Sequence, residues 1–222
     1  MRFAESRHAL TVALFAKGKG MRHISSLILI LFVVFPAHAD PAERWEAPPI
    51  FEQLLAESGM ELAISDGFAA VEVRPNARFI YDRAYASPDW ALEIRYAIRP
   101  LRRIRVDYED PHSAAPDPNH MFPLMFQSLV TRLSDGRHSP TREYPSVQAR
   151  EKFNADWVAA AVFDIDSEFA TDHRQALVIA MHKNALADAY AIFLFDDYES
   201  VKQGIDDNLN SLRFLPQHPI SP

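Results

Sequence analysis

Apolar and polar positions alternate with period two along some stretches of this chain and recur every three or four residues along others. Near the C-terminal end, Ala189-Tyr-Ala-Ile-Phe-Leu-Phe195 is an apolar run rich in aromatic and branched residues, which predicts a buried strand. Asp196 and Glu199 follow at capping-box spacing and predict a helix start. Val201, Ile205, Leu209 and Leu212 then recur at helical steps, so the helix carries one apolar stripe. A central strand that turns into a helix lying back on the sheet organises the pattern.

The same periodicities extend upstream. Pro48-Pro49 opens a helix with Phe51, Leu54 and Leu55 on one face, and Gly59 ends it. Met60–Ser65 and Phe68–Val73 flank Asp66-Gly67, the strongest short hairpin signal in the chain. Arg78–Tyr85 and Trp90–Ile98 form a second strand pair around Ser87-Pro88-Asp89. Leu92, Ile94, Tyr96 and Ile98 alternate with Glu93, Arg95 and Ala97, the pattern of a half-buried strand. Arg99–Asn119, with four prolines, reads as a long surface connection.

Phe122, Met125, Phe126, Leu129, Val130 and Leu133 have helical spacing, which places Pro123 in a first turn, and Asp135-Gly136 stops the helix. Gly136–Ser146 reads as a loop, Asn154–Glu168 as a strand, and Gln175–Lys183 with Asp188–Phe195 as a hairpin across Asn184–Ala187. Short turns between successive strands predict an α+β fold. Its largely antiparallel sheet of about seven strands is covered by helices, an α/β/α sandwich.

The A-x-A-x-F-L-F strand, followed by a terminal amphipathic helix ending in Asn210-Ser-Leu-Arg-Phe214, resembles the PsbP-like and DcrB-like α/β/α sandwich proteins, in which a comparable helix ends in Ser-Leu-x-Phe. The resemblance covers about the last sixty residues. A Gly-aromatic-Pro-x-x-Trp opening is absent, and only Val73-Arg-Pro75 stands in that place. The resemblance implies a small exported binding or assembly module rather than an enzyme, and it supplies no catalytic residues.

Composition adds a compartment. Met21-Arg-His, the apolar run Leu27–Phe35 and Ala37-His38-Ala39 are the three regions of an export signal with an A-x-A cleavage site. The apolar run is shorter than the roughly 20 residues of a membrane span. Residues 1–20 read as an extension or a mis-assigned start, 21–39 as a signal peptide cleaved after Ala39, and 40–222 as a single periplasmic domain.

Residues 1–39 hold five of the chain's 23 bases and one of its 30 acids, leaving 18 bases, 29 acids and a net charge of −11. That charge argues against nucleic acid as a partner. The chain has no cysteine, which excludes disulfides, thiol catalysis, cysteine zinc sites and an N-terminal lipidated cysteine.

Candidate chemistry is sparse, and no metal, cofactor or catalytic residue is expected. Asp164, Asp166 and Glu168 share one face of a strand, so they form either a solvated face or a weak cation site. Cα atoms at i and i+2 stand almost 7 Å apart, wide for one ion, at about 3.3 Å per residue. His112, His120 and His138 lack zinc-ligand spacing. His173 and His182 lie near late strands. His182 faces Asp188 across the hairpin, which suits either an ordinary hydrogen-bonded surface histidine or a general base.

Arg95, Arg99, Arg102, Arg103 and Arg105, with Tyr96 and Tyr108, form the densest cationic stretch of an acidic chain. They read either as a protected edge strand or as a surface for an envelope protein or small anionic ligand. The expected function is an exported, non-enzymatic envelope module binding a protein or small ligand, in an assembly or accessory role. The alternative is a periplasmic hydrolase using His182 and nearby carboxylates.

Overall fold

The structure is a computed structural model that describes residues 50–103 and 117–216. The extension, the export signal, the leader through Pro49, Arg105 and Tyr108 lie outside the described residues. In chain order the elements are α1 (Ile50–Ser58), β1 (Met60–Leu62), β2 (Ala69–Val71), β3 (Arg83–Ala86), β4 (Leu92–Pro100), a 3-10 turn at Leu101–Arg103, α2 (Pro118–Leu133), β5 (Thr141–Glu143), α3 (Ser146–Phe153), β6 (Trp157–Asp164), β7 (Gln175–Lys183), β8 (Ala187–Phe195), α4 (Tyr198–Asn208) and β9 (Leu212–Phe214).

β8 is buried at all nine positions and lies at the centre of an antiparallel seven-stranded sheet ordered β2-β3-β4-β8-β7-β6-β5. Phe193 stands between Ile94 on β4 and Leu177 on β7. Because side chains alternate, Ala189, Ala191, Phe193 and Phe195 enter one core, and Tyr190, Ile192 and Leu194 the other. The first core is closed by Phe51 and Leu54 of α1, Phe153 of α3, Val201 and Ile205 of α4, and the β1–β9 ribbon. The second is closed by Phe122, Phe126, Leu129, Val130 and Leu133 of α2. Helices on both faces of one antiparallel sheet make the α/β/α sandwich that the periodicities predict.

Several elements differ from expectation. β1 and β2 do not pair across Asp66-Gly67, although Gly67 keeps a turn conformation with φ of 90°. β1 pairs instead with β9, Met60 opposite Phe214 and Leu62 opposite Leu212, while β2 pairs with β3. Asn208 draws the chain away from a hairpin: its Oδ1 accepts from Ser65 N at 2.9 Å, and its Nδ2 donates to Ser65 Oγ at 2.7 Å. The last helix therefore ends at Asn208, and Leu212 sits on a strand. Leu212 and Phe214 are buried and Arg213 is exposed, an alternation that only a strand provides.

The cap of α4 is Asp197, which accepts from Glu199 N, because Asp196 is engaged by the backbone and side chain of Arg174. Pro123 lies in the second turn of α2 rather than the first. The helix begins at Pro118 behind its cap Asp117, and Pro123 points to solvent. The expected loop 136–146 contains the edge strand β5, and α3 follows it. α3 buries only Ala149 and Phe153, too thin a stripe to recognise by periodicity, and Asn154 closes it in a left-handed conformation. β3 is confined to Arg83–Ala86, and the strand expected over 154–168 to Trp157–Asp164. β4 is covered on both faces rather than one.

Candidate functional site

The strand alternation that builds β4 disperses the predicted arginine surface. Arg95 is 5% exposed and points into the second core. Its guanidinium lies 4.7 Å from the ring centres of both Tyr81 and Phe169. It donates to Glu93 Oε1 at 2.6 Å and Oε2 at 3.3 Å, and to the Phe169 carbonyl at 2.7 Å. Tyr96 points to the opposite core with no exposure, its hydroxyl 2.7 Å from Ser211 Oγ. Neither side chain reaches a surface, so both leave the predicted contact set.

Arg99 is half-buried. It pairs with Asp82 at 2.7 Å, donates to the carbonyls of Ile98 and Ile80, and covers the Phe79 ring. Arg102 and Arg103 remain exposed and share Glu57 at 3.1 and 2.7 Å. The Arg103 hydrogen bond holds the Glu57 carboxyl down at about 2, well below its ordinary value.

The other candidates also fall into structural contacts. β6 ends at Asp164, so Asp166 and Glu168 do not continue its face. Asp166 is buried in the following turn, where Arg78 Nη2 lies 2.8 Å from it and 2.8 Å from Glu168. A guanidinium thus stands between these carboxylates. Among the described residues, no three His, Asp or Glu side chains gather as a metal ion requires.

His182 is buried, not on the surface. Its Nδ1 is 2.6 Å from Asp188 Oδ1, its Nε2 3.1 Å from Asn184 Oδ1, and its ring stacks on Phe122 at 5.3 Å. With both nitrogens engaged and the ring covered, it presents no lone pair to a substrate. His173 is also buried, with Nε2 3.9 Å from Glu93 and no hydrogen-bond partner at Nδ1. Burial pushes its pKa down.

A concave apolar surface lies along α2. Its inner face fills the second core, but its flank keeps Leu124 67% and Met125 42% exposed. Expectation placed Met125 on the buried stripe; the structure turns it outward. Met121, Leu124, Met125 and Leu129 form one wall of a cavity of about 560 Å³, Phe79 forms part of the opposite wall, and Tyr190 contributes from the sheet. Phe79 stands edge-on to Tyr190 at 5.4 Å, and the Asn76 side chain accepts from the backbone of Arg78 and Phe79, so this wall is braced.

Arg78 and Arg132 line the cavity and also an adjoining one of about 430 Å³, which continues past Gln127 and Thr131. The trough therefore runs from Met121 and Met125 at one end to Gln127 and Thr131 at the other, over mainly apolar surface, with the guanidinium groups shared by both halves. Its size lies in the range of small-ligand sites, roughly 300–1,000 Å³. The sequence signal for it is an α2 more apolar than one buried stripe needs: Met121, Leu124 and Met125 lie beside the core positions.

Among the described residues no helix is long and apolar enough to cross a membrane. No family model and no curated protein matches the chain. Among solved structures, the chain is similar to the solution structure of cyanobacterial PsbP (CyanoP) from Synechocystis sp. PCC 6803. That similarity has 12% sequence identity and a TM-score of 0.41, and covers 71% of this chain and 88% of that one. The chain thus resembles PsbP-like proteins weakly, and its own register and packing define it as an α/β/α sandwich.

Proposed function

We propose that this chain is an exported, non-enzymatic binding module of the cell envelope, released by cleavage after Ala39, whose ligand site is the trough beside α2. The observation that carries this reading is the exposure of Leu124 and Met125 beside a braced apolar cavity. Apolar side chains left facing a concavity of this volume are a recurrent feature of binding sites. The candidate acid–base group His182 is sequestered, which favours binding over hydrolysis. Arg102 and Arg103, exposed beside Glu57, are a second contact point, suited to an envelope protein.

Titration with the neutral fluorescent dye phenylnaphthylamine tests the trough. The protein binds it saturably at one site, and the double variant Leu124→Asp, Met125→Asp loses binding while its melting temperature stays within a degree or two. Absence of saturable binding, or unchanged binding by the variant, overturns the reading. N-terminal sequencing of protein from a periplasmic fraction tests export, with Asp40 as the expected first residue.

A further inference from the structure

Resting on that reading of the trough, we infer that its ligand class is a single-chain amphiphile with a carboxylate head: a free fatty carboxylate. Ten of the thirteen arginines among the described residues have a carboxylate of another described residue within 4.0 Å, and Arg132 is one of the three without a described one. Arg132 is exposed and lines both halves of the trough. Arg78, the other guanidinium there, is held by two carboxylates, Asp166 and Glu168, so it serves as wall and the donor fork open to an anion is that of Arg132.

The hydroxyls of α2 do not compete for the role. Ser128 Oγ donates to the Leu124 carbonyl at 2.9 Å and Thr131 Oγ1 to the Gln127 carbonyl at 3.0 Å, so their protons are committed to the helix. Arg132 remains as the donor fork, and a planar carboxylate fits that fork with two parallel hydrogen bonds. Beside the Asp166 and Glu168 carboxylates a single negative charge is also repelled less than a phosphate monoester, which carries about −1.5 to −2 at neutral pH. The half walled by Met121, Met125, Leu129 and Phe79 takes the chain. Methionine suits this because its unbranched thioether adapts to an irregular tail.

The test compares dodecanoate, dodecanol and dodecyltrimethylammonium, each below its self-association concentration, by displacement of phenylnaphthylamine from the full mature chain. Dodecanoate is expected to bind at least tenfold more tightly than dodecanol. Arg132→Gln removes that preference and leaves dodecanol unchanged, and Arg132→Glu reverses it toward the cationic amphiphile. If all three bind alike and both Arg132 variants match wild type, the carboxylate assignment falls while the binding module stands. If none displaces the dye, the carboxylate assignment falls; if the dye itself does not bind, both fall. Co-sedimentation with phosphatidylglycerol vesicles, lost in Arg132→Glu and without dodecanoate binding, overturns the inference in favour of a lipid surface.

Discussion

His182 Nδ1 and Asp188 Oδ1 meet at 2.6 Å on adjacent strands of the central hairpin, with 3% and 2% of the two residues exposed. The two residues are direct cross-strand partners, so the register that centres Phe193 in the core also makes this pair. Burial alone pushes the imidazole pKa down, but the hydrogen bond and charge of Asp188, with Asn184, outweigh it and raise the net value. Burial raises the Asp188 carboxyl, and His182 pulls it part of the way back.

A raised folded pKa means more protons bound in the native state, so stability falls as pH rises. The His182 contribution is fully present below about 6.5, its unfolded value, and is lost as pH passes through the raised native value. Asp188 acts with the same sign in its lower window. His182→Gln is expected to melt well below wild type at pH 6, with the gap narrowing toward pH 9. A gap that stays constant across that range, followed by circular dichroism, would show that folding does not raise the pKa of the ring.

His173 works in the opposite sense. Its native pKa is depressed by burial, only partly offset by Glu93, so its contribution is present above about 6.5 and is lost as pH falls through the depressed value. His173→Gln should flatten the acid limb of the stability curve without altering the alkaline limb. Melting curves between pH 4 and pH 7 check this.

Glu93 and Arg95 form a buried ion pair two residues apart on one face of β4, and Arg95 also lies over two aromatic rings, Tyr81 and Phe169. Removing one partner of such a pair strands the other charge and costs ~3–5 kcal/mol. Arg95→Met should therefore destabilise strongly, and Glu93→Gln added to it should recover part of the loss. Urea denaturation of the two variants measures the difference. Equal stability of single and double variants would show the stacking, not the charge, to be the main contribution.

Asn208 has no exposure and joins the end of α4 to Ser65 through two hydrogen bonds, with a third to the Gly204 carbonyl. Asn208→Ala leaves the Ser65 N–H without this partner and is expected to cost about 1–3 kcal/mol. Ile205, one turn earlier and 1% exposed, is expected to cost ~2–5 kcal/mol on truncation to Ala by loss of packing. If Asn208→Ala melts like wild type, the polar tie is not what holds β1 beside β9.

Local pattern was sufficient for much of the molecule. The apolar runs of β7 and β8, the turn at Asn184–Ala187, the helical spacing of Phe122–Leu133 and its stop at Asp135-Gly136 each depend on neighbours within a few residues. Together they determine an antiparallel sheet with helices against it. What the sequence could not determine was every pairing between distant segments. β1 joins β9 across about 150 residues because Asn208 holds Ser65, a contact without local periodicity. β4 carries an alternation that looks half-buried, but covering both faces converts Glu93 and Arg95 from surface charges into a core pair and hides Tyr96 on the far side. The trough follows the same physics. Helical spacing identifies α2 as apolar, but only the position of Phe79 opposite it, fixed by Asn76 and Tyr190, decides that Leu124 and Met125 face a cavity rather than the core.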